Sequence, residues 1–65
     1  MKFSDLDAFA DGKILAGVVT NIGYLVINNP ERHNAISLAM YEAGAARVAA
    51  MAADSLTRLL IIQGA

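Results

Sequence analysis

Asn28-Asn29-Pro30-Glu31-Arg32-His33-Asn34-Ala35-Ile36-Ser37 is the stretch on which the reading of this chain turns. An apolar, strand-like run, Tyr24-Leu25-Val26-Ile27, leads into it, and a long alanine-rich run leads out. It holds the only proline, the only histidine and three of the four asparagines, so turn chemistry is concentrated in it. Proline fixes its own φ, lacks an N–H and pushes the preceding residue into extended backbone; a strand must therefore end near Asn28 or Asn29. Ser37 stands just before the helical run, where its hydroxyl can accept a hydrogen bond from a free N–H of the first turn. Asn34 can do the same if the helix starts earlier, or it can bond the connecting backbone. The unit reads as strand, structured turn, helix.

Downstream, the spacing predicts a helix from Ser37 to about Ala53, closed by Asp54-Ser55. Ile36, Met40, Gly44, Val48 and Met51 recur at three- and four-residue steps and form one apolar stripe, with Glu42 and Arg47 marking the wet side. Gly44, flanked by Ala43, Ala45 and Ala46, lets another backbone approach closely, at about 1 kcal/mol of helix propensity. The methionines read as core filler. Arg58 to Gln63, with its continuous Leu59-Leu60-Ile61-Ile62, reads as a strand. Tyr24 to Gln63 is thus a β-α-β unit, which normally makes parallel strands with a right-handed crossover. Parallel strands need cover on both faces, and one helix covers only one.

Upstream, Ile14–Thr20 and Tyr24–Asn28 read as a β-hairpin around Asn21-Ile22-Gly23, with Gly23 supplying the positive φ. Gly17 inside the first run points to a bulge or a close neighbour. Residues 1–13 form an arm. Its Phe3, Leu6 and Phe9, at three-residue spacing, suit either one amphipathic turn of helix or phenylalanines docked on a neighbour. Asp11-Gly12-Lys13 is a turn. The organisation expected is one α/β domain with an arm (1–13), a hairpin (14–28), a helix (37–54) and a strand (58–63).

Size and composition narrow the function classes. A 65-residue chain buries only about 60% of its unfolded surface, and without cysteines it has neither disulfides nor a thiolate zinc site to stiffen it. Yet 57% of its residues are apolar, which implies that it sits in a larger core or associates. Five basic and six acidic residues leave it near neutral, which argues against a nucleic-acid partner. The apolar runs are broken by Gly17, Glu42 and Arg47 and are too short to span a membrane. Acids near the N-terminus do not suit a leader peptide, so cytoplasm is the expected compartment. The glycines fit neither a dinucleotide fingerprint nor a phosphate loop. His33 is alone: no Ser/His/Asp arrangement and no metal-ligand cluster can be built around it. On local grounds a polar strand-to-helix connection needs no function beyond connecting.

The order Ile27-Asn28-Asn29-Pro30-Glu31-Arg32-His33-Asn34-Ala35-Ile36-Ser37 resembles the N-terminal signature of the enoyl-CoA hydratase/isomerase (crotonase) superfamily. In that family an apolar strand ends in Asn-x-Pro, and a variable link leads to Asn-Ala-Leu-Ser or Asn-Ala-Ile-Ser at the start of a helix. The context is similar too, from the glycine-containing hairpin to the alanine-rich helix and the second apolar strand ending at Gly64, and covers roughly residues 12–65.

The resemblance implies the beginning of a crotonase-like ββα spiral, incomplete in this stretch, that acts on acyl-CoA thioesters. Its fold would be an N-terminal β-hairpin followed by a β-α-β unit. Family members stabilise an enolate-type intermediate in an oxyanion hole of two backbone N–H groups, and hydratases use glutamates for water and proton. Those elements lie beyond this stretch in the family, so it contains no expected catalytic residue. Glu31, Arg32, His33 and Ala35 map onto the link that lines the coenzyme A pocket. Arg32 suits a phosphate and His33 the adenine, while the small Ala35 leaves the ligand room beside its backbone. Glu31 stands where the family often has a second base. Coenzyme A would enter as part of the substrate, with no permanently bound cofactor or metal. The resemblance further implies the remainder of an enzyme chain as partner and a homotrimer or hexamer. The competing expectation is a noncatalytic structural or interaction module with a hairpin-helix-strand core.

Overall fold

The computed structural model describes residues 2–65. Four strands, β1 (Asp7–Phe9), β2 (Ile14–Val19), β3 (Ile22–Ile27) and β4 (Leu59–Gly64), form one sheet in the order β1-β2-β3-β4. The helix α1 (Leu38–Ala53) crosses between β3 and β4, which pair in parallel, whereas β1/β2 and β2/β3 are antiparallel. The chain is therefore a small α/β domain whose β-α-β unit follows a hairpin.

Alternation along the strands gives the sheet two faces. Ile14 and Ala16 of β2 and Leu25 of β3 pack against Met40 and Met51 of α1 to form the core. Of the expected helix stripe, Met40, Gly44 and Met51 are buried and Val48 is half-buried, but Ile36 is 57% exposed because it precedes the helix. Arg47 departs from the wet side: it is half-buried, its guanidinium carbon 4.9 Å from the centre of the Phe9 ring. The helix packs chiefly on β2 and β3. On the outer face lie Leu15, Val19, Ile22, Tyr24, Val26 and Ile61, with no charged side chain among them. Among the described residues no α-helix lies over that face; the Phe3–Asp5 turn and Leu6 pack against part of it, and Val26 is fully buried there.

The hairpin closes differently from the sequence expectation. Val19 pairs with Ile22, leaving a two-residue turn, Thr20-Asn21, with φ of 50° and 66°. Asparagine tolerates this left-handed backbone and threonine tolerates it poorly. Gly23 lies inside β3, buried, because a Cβ there would come within 3.1 Å of Leu60 Cδ1 and of Met51 Sδ. Its small size, rather than its backbone freedom, is what the fold uses.

The arm also differs. Phe3–Asp5 is a 3-10 turn, as the three-residue spacing allows, but Asp7–Phe9 then pairs along β2 as an edge strand. Leu6 is buried over Gly17, where a Cβ would sit 3.2 Å from Leu6 Cδ2. The ladder runs unbroken through Gly17↔Tyr24, so this glycine marks a close neighbour and not a bulge. The turn after β1 carries Ala10, Asp11 and Gly12 at positive φ and is tied to the end of β3 by Asn28, whose Nδ2 donates to Gly12 O at 2.9 Å. No described helix is long and apolar enough to cross a membrane.

Candidate functional site

The strand ends at Ile27, Pro30–Arg32 makes one 3-10 turn, and Ser37 caps α1, its Oγ accepting the Met40 N–H at 3.2 Å. These boundaries follow from the proline and the serine, as the sequence indicates. Between them the chain must reverse within a few residues. It does so by placing His33 and Asn34 at φ of 54° and 59°, a left-handed pair without glycine.

Two asparagines hold that pair. Asn29 N–H donates to Asn34 Oδ1 at 2.9 Å, and Asn34 N–H donates to Asn29 O at 2.7 Å. Asn29 Nδ2 in turn donates to Ala35 O at 2.9 Å and approaches Met40 Sδ at 3.8 Å. Asn29 is 7% exposed, so its carboxamide is removed from water and needs these partners. Of the two roles open to Asn34, the structure selects bonding of the connecting backbone; Ser37 takes the cap.

Glu31, Arg32, His33 and Ala35 are brought together on one exposed turn at the approach to α1. None of the four lines the open apolar groove of about 220 Å³ beside α1, which Ile14, Leu25, Met40, Gly44 and Ile62 help to form. The first-turn N–H groups of α1 add partial positive charge near the link. Chemically, the surface offers one guanidinium, one imidazole and one carboxylate to solvent. Among the described residues no group of three His, Cys, Asp or Glu side chains is placed to hold a metal.

Sequence reasoning missed two residues of this unit. Asn29 reads as a strand-end residue before proline, yet it is the buried hub. Gly64 reads as a strand terminator, yet a Cβ there would lie 2.9 Å from Asn34 Nδ2. Neither role has a local sequence signal, because each depends on where another segment arrives. No protein-family model, curated protein or solved structure matches the chain.

Proposed function

We propose that this chain forms the N-terminal portion of an enoyl-CoA hydratase/isomerase-like enzyme, a crotonase-type ββα spiral acting on acyl-CoA thioesters. The observation that carries the reading is the ordered stretch Ile27–Ser37, lying between an apolar strand and a capped helix. In this reading the link Glu31–Ala35 meets the nucleotide end of coenzyme A. Arg32 pairs with a phosphate, weakly because it is exposed and screened. His33 lies against the adenine. Ala35 supplies close backbone approach, and the first turn of α1 favours the anion. Catalysis, through an enolate held in an oxyanion hole, belongs to residues outside this stretch. The homotrimeric or hexameric assembly and the cytoplasmic setting are parts of the same proposal.

A second reading keeps the turn as a connector in a noncatalytic interaction module. The mutual bonding of Asn29 and Asn34 favours it, since these hydrogen bonds are what a self-contained connecting turn requires. Titration with coenzyme A, followed through backbone amide resonances, separates the two. The enzyme reading expects weak binding, on the order of millimolar, with shifts at Arg32–Ala35 and in the first turn of α1. Pantetheine alone should leave those resonances in place. A link unmoved by millimolar coenzyme A leaves the connector reading standing.

A further inference from the structure

Asn34 holds two distant parts of the chain at once. Its Oδ1 accepts the Asn29 N–H at 2.9 Å, while its Nδ2 donates to Ala65 O at 3.2 Å. Together the bonds fix which way round the carboxamide lies, because exchanging its ends would set N–H against N–H and oxygen against oxygen. Ala65 is held from its other side as well, its N–H donating to Ile27 O at 2.9 Å. Gly64 makes the approach possible: a methyl there would press the Asn34 Nδ2 from 2.9 Å. The left-handed backbone of His33 and Asn34 is uncommon outside glycine and is held by the same bonds.

We propose that Asn34 is a positioning residue that couples the exposed link Glu31–Ala35 to the exit of β4. The link and Ala65, just past β4, then keep one fixed relative geometry. This deepens the acyl-CoA reading and rests on it for its ligand, in that a contact made at the link is passed to the strand exit through a single carboxamide. Asn34 touches no ligand in this account.

Amide hydrogen exchange near neutral pH tests the coupling, with Asn29 N–H and Ala65 N–H as probes and Val26 N–H reporting overall opening. Asn34→Gly keeps the left-handed backbone accessible and removes both side-chain bonds. Both probes should then exchange roughly tenfold faster relative to Val26. Asn34→Asp keeps the acceptor for Asn29 and loses the donor to Ala65, so only Ala65 should speed up. Gly64→Ala displaces the carboxamide, and Asn29 should respond although the substitution lies in β4. Parental exchange at both probes in Asn34→Gly, or an unmoved Asn29 in Gly64→Ala, overturns the coupling.

With coenzyme A as probe, shifts at Arg32–Ala35 should extend to Ala65 in the parent and stop at the link in Asn34→Asp. Shifts that reach Ala65 equally in both also overturn it. If coenzyme A moves nothing in the link, the acyl-CoA reading fails, and exchange alone decides the coupling.

Discussion

Gly44 of α1 and Gly23 of β3 are both buried in the helix–sheet layer, Gly44 over Leu25 and Ile14 and Gly23 under Met51 and Leu60, and replacing each by alanine should have opposite effects. In the middle of α1, Gly44→Ala gains about 1 kcal/mol of helix propensity. The added Cβ would lie 3.7 Å from Leu25 Cδ2 and 3.9 Å from Ile14 Cδ1, which is ordinary contact. Burying that methyl adds up to about 0.8 kcal/mol. A net stabilisation of about 1–2 kcal/mol follows, which in a chain this small raises Tm by roughly 7–15 °C. Gly23→Ala puts a methyl 3.1 Å from both Leu60 Cδ1 and Met51 Sδ and 3.3 Å from Thr57 Cγ2. Three neighbours must give way, at a cost of about 1–3 kcal/mol. Urea unfolding followed by circular dichroism, at equal dilute concentration, measures both, with unchanged slopes showing that the unfolded state is not the cause. A destabilised Gly44→Ala, or a Gly23→Ala as stable as the parent, would refute the helix–sheet spacing on which this reasoning rests.

Ser37→Ala should cost about 1 kcal/mol by leaving the Met40 N–H without its cap, measured in the same unfolding assay. At high concentration the chain should self-associate, because the edge strand β4 exposes apolar side chains on both sides of the sheet, Leu59 at 55% and Ile62 at 57%. Sedimentation velocity should show the double substitution Leu59→Lys/Ile62→Lys reducing that association, and an unchanged distribution would locate the contact elsewhere. The 65-residue chain alone should not hydrate crotonyl-CoA, since its only glutamates, Glu31 and Glu42, are both exposed; turnover above the buffer rate would contradict this.

Much of the fold was legible because single residues settled it. Pro30 ends β3, Ser37 caps α1, and the uninterrupted Leu59–Ile62 marks β4, although Leu59 and Ile62 are left exposed. Local pattern misled where a residue had two physical uses. Gly23 looked like a turn glycine, but Asn21 carries the left-handed turn and Gly23 makes room for Leu60 and Met51. Phe3, Leu6 and Phe9 fit a helical spacing, yet only the first few residues coil. Phe9 goes instead into a three-residue edge strand, too short for alternation to register. At the candidate site the sequence located the link and its exposed side chains. It did not reveal the Asn29–Asn34–Gly64 arrangement, because the meeting of β4 with the turn is a tertiary event.

The kinetic effect of Ala35→Leu tests the central proposal most directly, measured in the acyl-CoA enzyme of which this stretch is proposed to be the N-terminal part. If the link meets coenzyme A, the larger side chain should raise KM for a whole acyl-CoA. It should leave KM for a thioester lacking the nucleotide at the parental value, because that substrate does not reach the turn. Arg32→Ala should move KM in the same direction by less, a screened exposed charge contributing under about 1 kcal/mol. Equal KM values for whole acyl-CoA in the parent and Ala35→Leu would contradict the proposal and leave the turn a connector.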